Sequence, residues 1–306
     1  MAGIAPGWIE RHSGVHERRW ADVSGGETAT WMGAQAAREA LDEAGVAAGD
    51  LDLIINASGT PEQALPDGGP LIQRHLGLGG SGIACLSVHT TCLSFFTALD
   101  VAGAFLAARR YRRILVVSAD VASVGLNIAE HESFSLFGDG AAAAVIVPTP
   151  DGEPSAIDAL VFSTYGEGAD LTAVRGAGTR RHPSAAHARP EDHLFSMQGP
   201  SVLRLGMKHA PELLERLRPG LSRGLGDLSL VVPHQTSLAA LNALQHFGIP
   251  MDRVVVVLDR LGNCVAASLP LALHEAARSG RMRRGDHVLL IGTGAGISLA
   301  GALVTY

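Results

Sequence analysis

Residues 83–106 read IACLSVHTTCLSFFTALDVAGAFL, and this stretch decides the fold. An apolar, strand-like run from Ile83 to Val88 meets the polar turn His89-Thr90-Thr91. Cys92 then stands where an amphipathic helix is expected to begin, with Phe95, Leu99 and Ala102 to Ala104 on its inner face. A thiol at a helix N-terminus faces unpaired N–H groups and the positive end of the helix dipole, which favour thiolate. Thiolate is the form that attacks thioesters. A free cysteine is also commonly just a small buried hydrophobe, so Cys92 alone decides nothing.

Working outward, the 306-residue chain is long enough for a large core, with 47% hydrophobic residues. No apolar run approaches the length of a membrane span. The opening MAGIAPGWIERHSGVHERRW lacks the apolar centre of a signal peptide. The three cysteines, Cys85, Cys92 and Cys264, form no CxxC pair and are odd in number, which argues against a disulfide framework and suits a reducing cytoplasm. A formal charge of -6 gives no reason to expect a nucleic-acid partner.

The remaining elements follow from apolar runs and turn residues. A short helix and loop are expected over residues 7–19, a helix over 28–45 stopped by Gly45, and a buried strand over 51–55. A short helix over 71–76 precedes the Cys92 unit, and a strand over 113–118 follows it. Residues 119–135 read as loop, and Gly138-Asp139-Gly140 leads into a strand over 141–147. The second half predicts strands over 156–162 and 228–232, a loop over 166–193, and helices over 200–217 and 237–247. The β-branched run 253–258 reads as a strand, Gly262-Asn263 as the start of a helix reaching Gly280, and 287–291 and 297–304 as two closing strands. The chain thus reads as a duplicated α/β unit, divided into residues 1–152 and 153–306, with Gly-Asp-Leu opening a strand in each copy. Any α/β protein alternates in this way, but the paired closing strands and matched openings favour duplication.

Three polar groups, Cys92, His234 and Asn263, stand beyond the C-terminal ends of expected parallel strands, the edge at which open α/β sheets place ligands. His234 could equally be a solvated residue of a capping turn or a satisfied core histidine. Asn263 could be an ordinary N-cap. Cys264 is expected to serve packing. Other motifs are absent: there is no GxSxG elbow, no P-loop lysine, and His274-Glu275 lacks the second histidine of a zinc helix. The Gly292-Thr293-Gly294-Ala295-Gly296 segment opens no helix, which argues against a dinucleotide site. It can instead bring a backbone N–H against a reacting oxygen.

HTTCLSF, LFGDGAAAAV, VVPHQT, LDRLGNCVAAS and GTGAGIS, in this order, resemble the ketoacyl synthase III family of the thiolase superfamily. The resemblance runs from Trp8 to the C-terminus. It implies a five-layered αβαβα thiolase-like fold of two duplicated halves, usually as a homodimer, with no metal and no cofactor beyond CoA thioester substrates. It implies Cys92 as the nucleophile that takes an acyl group from acyl-CoA. His234 and Asn263 would bind the thioester carbonyl of a malonyl carrier or malonyl-CoA as CO₂ leaves. The backbone N–H groups of Cys92 and Ala295 would form the oxyanion hole. Trp8 matches a tryptophan that stacks on the CoA adenine, and His131 lies in the same CoA-binding region.

The chain also departs from the family pattern. His12 and His131 stand where many members carry arginines, and Ala239 where many carry a basic residue for carrier docking. These changes favour a specialised pathway enzyme over the initiator of fatty-acid synthesis. The family's first strand, expected centrally in the first sheet, has no counterpart ahead of Trp8, and a start site placed too far downstream is the expectation. Acyl transfer to an oxygen or nitrogen acceptor and non-decarboxylating condensation are the enzymatic alternatives. A non-catalytic subunit of a heterodimeric synthase is the alternative of another class, although such a subunit needs none of Cys92, His234 and Asn263. Degradative thiolase chemistry is disfavoured because no second cysteine falls in the terminal glycine-rich segment.

Overall fold

The computed structural model describes residues 5, 7–176 and 178–306; most of the MAGIA start and Ala177 of the expected 166–193 loop lie outside them. Helices α1 (Trp8–Ser13), α2 (Ala29–Ala44) and α3 (Gly68–His75) surround strand β1 (Leu53–Asn56) in sequence. There follow β2 (Ala84–Ser87), α4 (Ser94–Ala107), β3 (Ile114–Asp120), α5 (His131–Leu136) and β4 (Gly140–Ile146). The second half holds β5 (Ala156–Thr164), two-residue strands β6 (Thr172–Ala173) and β7 (Ser196–Met197), α6 (Gly199–Leu217) and β8 (Leu230–Pro233). It closes with α7 (Leu238–Ala243), α8 (Leu258–Leu261), α9 (Ser268–Arg278), β9 (His287–Gly294) and β10 (Ser298–Thr305).

Two four-stranded sheets result, ordered β2-β1-β3-β4 and β5-β10-β9-β8. Within them β1 runs parallel to β2 and β3, and β8 parallel to β9, while β4 and β10 run antiparallel to their neighbours. Alternate side chains divide each strand between layers. Leu53, Ile55, Ile114 and Val116 point into a central layer with Phe95, Phe96 and Leu99 of α4 and Leu269, Ala272 and Ala276 of α9. Ile54, Leu115 and Val117 point outward against Ala37 and Leu41 of α2 and Ile72 of α3. The second sheet repeats the division. Leu230, Val232, Val288, Leu290, Ala300 and Ala302 face the central layer, while Val231, Leu289, Ile291 and Leu299 face Leu213, Leu214 and Leu217 of α6. The layers therefore read αβαβα, as a thiolase-like fold requires.

Local chemistry explains the clean boundaries. Thr28 caps α2 through its hydroxyl, which accepts from the Trp31 N–H at 3.3 Å, and Gly45 ends it in the left-handed region at φ 63°.

Four expectations change. The leading strand of the second half, β5, lies at the sheet edge beside β10 rather than centrally. The corresponding position in the first sheet is the outer side of β4, where no strand pairs among the described residues. A missing counterpart therefore bares an edge instead of opening the core. Residues 253–258 are not a strand: Val254 makes one bridge to Val231, and the other backbone groups bond side chains described below or turn into α8. Residues 119–135 contain the end of β3 and α5, and the helix after Asn263 begins only at Ser268. No helix among the described residues is long and apolar enough to cross a membrane.

Candidate active site

The ladder of β2 on β1 continues past its last pair, Asn56 with Ser87, through a Val88 N–H bond to the Asn56 carbonyl at 2.9 Å. The chain then turns sharply. Thr91 is held at φ 52°, and Leu93 and Ser94 donate their N–H groups to the Thr90 and Thr91 carbonyls, each at 3.1 Å. Ser94, fully buried, closes the turn by accepting from the Thr90 N–H at 3.1 Å and donating to the Thr91 carbonyl at 2.7 Å. Cys92 therefore sits in the turn, two residues ahead of α4. Its side chain packs in an apolar cluster with Leu126, Phe137, Phe195, Met197 and Val265.

That burial overturns the expected thiolate. The thiol is pushed up to about 12, first by burial and then by the nearby charge of Asp120. The folded surroundings of Cys92 thus oppose the thiolate that its place ahead of a helix favours.

His234 follows the last residue of β8, and its N–H bonds the Ile291 carbonyl at 2.8 Å. It is 3% exposed, and neither ring nitrogen has a partner among the described residues. This excludes both the solvated turn and the satisfied core histidine. Burial pushes its pKa down to about 4, so the ring is neutral. A buried polar side chain left open in this way costs free energy that a bound acceptor would recover.

Gln235, read in the sequence only as part of a polar turn, ties the chain next to His234 to segment 254–258. It is fully buried and uses all four of its hydrogen-bonding positions. Its amide donates to the Pro233 and Val255 carbonyls at 2.9 and 3.1 Å. Its oxygen accepts from the Val257 and Leu258 N–H groups at 2.9 and 3.0 Å. Segment 254–258 thus gives three backbone groups to one side chain, while the Val254 carbonyl accepts from Arg281 and the Val257 and Leu258 carbonyls from the turn of α8, so the β-branched run makes no strand.

Asn263 leaves α8 and crosses the end of α5. Its N–H donates to the Leu136 carbonyl at 2.8 Å, and its carbonyl accepts from the Gly138 N–H at 3.1 Å. The side-chain oxygen accepts from the Val265 N–H at 2.9 Å and the Ser268 hydroxyl at 3.4 Å. Asn263 is not the N-cap that the sequence suggested, since Ala267 precedes α9, but these bonds hold its oxygen on the following turn and leave the NH₂ end to donate elsewhere. Cys264 is buried and contacts the space beside Gly140, as packing requires.

Glycines let these segments meet. A Cβ on Gly292 would lie 3.0 Å from Leu93 Cδ2 and 3.1 Å from His234 Cβ. One on Gly294 would lie 2.9 Å from the Thr91 hydroxyl. The β9–β10 turn that carries Ala295 is therefore seated over the Cys92 turn. Both oxyanion candidates, the Cys92 and Ala295 N–H groups, belong to these two facing turns.

Sequence reading placed Asp120 in a loop and gave it no role. It is the last residue of β3, fully buried at the same sheet edge as the three named residues. One carboxylate oxygen accepts from the Gly59 and Thr60 N–H groups and the Thr60 hydroxyl at 2.8, 2.7 and 2.9 Å. The other accepts from the Ala267 N–H at 3.1 Å. A carboxylate ending an apolar strand at a ligand edge was the available signal.

The proposed CoA residues also gather. Trp8 stacks on His12 with ring centroids 4.1 Å apart and meets His131 edge-on at 6.0 Å.

Comparison with known proteins agrees with this geometry. The sequence profile of the family described as 3-Oxoacyl-[acyl-carrier-protein (ACP)] synthase III matches residues 86–166. The profile of its C-terminal part matches residues 222–306. The chain is 34% identical over 302 residues to a beta-ketoacyl-[acyl-carrier-protein] synthase III of a Roseiflexus species, covering 98% of this chain and 89% of that one. With the protein of the same description from Aquifex aeolicus it shares 32% identity, covering 98% and 90%. The crystal structure of the 3-oxoacyl-[acyl-carrier-protein] synthase III from Aquifex aeolicus superposes with a TM-score of 0.86 at 31% identity, covering 99% and 92% of the two chains.

Proposed function

The chain belongs to the 3-oxoacyl-[acyl-carrier-protein] synthase III family and is a condensing acyltransferase; from that premise we propose how its residues divide the work. Residues 1–152 supply the nucleophile Cys92, and residues 153–306 supply His234 and Asn263. In the first step the Cys92 sulfur attacks the carbonyl of an acyl-CoA starter. The bond to the CoA sulfur breaks, and the Cys92 proton ends on the departing CoA thiolate. Proton loss and bond formation belong together because burial and the Asp120 charge push the Cys92 thiol up, to about 12. The Cys92 and Ala295 N–H groups hold the tetrahedral oxygen.

In the second step a malonyl thioester, on a carrier protein or CoA, places its carbonyl oxygen between His234 and the Asn263 NH₂. The carbon–carboxylate bond breaks, CO₂ leaves, and the electron pair forms an enolate held by those two donors. The enolate carbon attacks the Cys92 thioester and returns the thiolate, which takes up a proton. A neutral His234 suits this step. An imidazolium would stabilise the malonyl carboxylate and oppose loss of CO₂. Neutral donors in a dry site serve the charge that appears later, on the enolate oxygen.

The observation that carries this reading is the buried His234 ring, without a partner among the described residues, together with an Asn263 amide oriented by its oxygen. Trp8, His12 and His131 mark the CoA-facing rim. The exchange of arginines for histidines there, together with Ala239, supports a starter and carrier of a specialised pathway. A homodimer through the half-exposed edge strand β2 fits the same reading.

Incubating the protein and Cys92→Ala with a panel of acyl-CoAs, followed by intact mass, tests the first step. An adduct on the wild type alone is expected, and its mass identifies the starter. Adding malonyl-CoA or malonyl-carrier should then release CO₂ with a β-ketoacyl product. Acyl loss to an oxygen or nitrogen acceptor without CO₂ would replace condensation by simple transfer. No adduct with any donor would end the CoA-primed reading.

A further inference from the structure

We propose that Asp120 is a positioning residue: by gathering the Gly59–Thr60 loop and the Val265–Ala267 turn onto one carboxylate, it sets the Asn263 amide against Cys92. The proposal rests on the roles given above to Cys92 and Asn263. Asp120 touches neither of them by hydrogen bond and acts through the segments that carry them.

The geometry is specific. Gly59 is wedged between the two catalytic segments: a Cβ there would lie 2.6 Å from Val265 Cγ1 and 3.1 Å from the Thr91 carbonyl oxygen. Thr91 precedes Cys92 by one residue and Val265 follows Asn263 by two. Both are held at φ 52°, a left-handed conformation that branched side chains adopt only where the surroundings impose it. Asp120 anchors the loop from one side through Gly59 and Thr60 and the turn from the other through Ala267. The carboxylate is entirely enclosed, and the donors on it are three backbone N–H groups and one hydroxyl. A charge kept in the core without an ion-pair partner is a costly way to fill space, which points to placement as its use.

The two oxygens are unequal. One holds three donors on the Cys92 side, and the other holds only the Ala267 N–H on the Asn263 side. A proton added to the carboxyl goes to the less occupied oxygen and sets a donor against the Ala267 N–H. Acid therefore loosens the Asn263 segment first. Burial raises the carboxyl to about 6, inside the working range. The titratable groups facing it are the Cys92 and Cys264 thiols, both pushed up to about 12. Asp139 and Arg19 face Cys264 on its far side. His89 stands on the rim, bonded to the Ser58 carbonyl, and stays in place in the variant below.

The test follows two rates on the full-length protein between pH 5 and 8: acylation of Cys92 by acyl-CoA, and condensation of the pre-acylated enzyme with malonyl thioester. In the wild type, condensation should fall on the acid side with a midpoint near pH 6, while acylation holds. Asp120→Asn keeps the shape and the three-donor oxygen but sets an NH₂ against Ala267 at every pH. It should acylate within about threefold of wild type, condense about tenfold or more slowly at pH 7.5, and lose the acid limb. Asn263→Ala run alongside separates the two layers of argument. If Asn263→Ala condenses normally, the role given to Asn263 is wrong. If Asn263→Ala is inactive while Asp120→Asn matches wild type in rate and acid limb, the positioning proposal is overturned. Should Asp120→Asn fail to fold, the wild-type profiles decide: the two steps falling together, or neither falling, overturns the proposal.

Discussion

Strand β2 carries the chain to Cys92 on four successive parallel pairs with β1, whereas the matching segment of the second half, 254–258, meets β8 at a single bridge and gives three backbone groups to the Gln235 side chain. Cys92, the proposed nucleophile, is thus placed by a repeating backbone ladder, and the segments carrying His234 and Asn263, the proposed carbonyl-binding pair, by individual side chains. The outer edges differ in the opposite sense. β10 is flanked by β5, while the outer side of β4 has no strand among the described residues. Among the described residues, the two halves of common architecture are thus regular at different ends. The side of the site that must release CO₂ accordingly depends on a few buried amides and carboxyls.

The sharpest way to break this division of labour is to remove one half's chemistry at a time. Cys92→Ala should abolish the acyl adduct completely yet still release CO₂ from malonyl thioester. Asn263→Ala should do the reverse, forming the adduct while decarboxylation falls about a hundredfold. Loss of both activities in both variants would show that the halves do not work separately. Stability should divide in the same way. Gln235→Leu leaves four buried backbone groups without partners at about 1–3 kcal/mol each, before relaxation. Urea unfolding is expected to show a loss of several kcal/mol. Ser87→Ala, on the ladder, removes only the hydroxyl that accepts from Asn56 and should cost about 1 kcal/mol.

Acid offers a third contrast, because the two halves answer it with opposite signs. His234 titrates at about 4 when folded against 6.5 when exposed, so the unfolded chain takes the proton first. Its contribution is complete above pH 6.5 and is lost as pH falls toward 4, by roughly 3 kcal/mol. His234→Gln should flatten that loss in urea titrations at pH 6.5 and 4.5. Asp120 titrates at about 6 against 3.8, so its contribution is largest below 3.8 and is lost as pH rises through 6. Asp120→Asn should therefore make the wild-type acid loss steeper. The smallest effect concerns the edges. Amides of β4 not bonded to β3 should exchange with deuterium about tenfold or more faster than their counterparts on β10, read by peptide mass.

Much of this was legible in the sequence because it repeats. Alternating apolar runs located the strands, and Thr28 and Gly45 bounded α2. The ordered motifs around Cys92, His234 and Asn263 led to one sheet edge. What the sequence hid lies in single bonds between distant segments. Gln235 takes three backbone groups of 254–258, and a run with every mark of a strand never joins the ladder. Asp120 looked like the first polar residue of a loop because its donors come from Gly59, Thr60 and Ala267, and no periodicity links those positions. The protonation of Cys92 was misjudged for a related reason. The helix end is visible in the sequence, whereas the enclosure by Phe137, Phe195 and Val265 exists only once the chain is folded.

The glycines at the crossing of the two halves carry a consequence for how such an enzyme diversifies. A Cβ on Gly138 would press within 2.2 Å of the Leu261 carbonyl oxygen, and one on Gly262 within 2.5 Å of that of Leu136, so main chain rests directly on main chain there. Together with Gly59, Gly292 and Gly294 these positions leave descendants no room for experiment. Novelty in substrate range has to be written elsewhere, in the segments that bring Ala122, Leu126, Phe195 and Met197 into the apolar cluster the cysteine shares. A library that varies those four and spares the glycines would search the part of the enzyme that evolution can still edit.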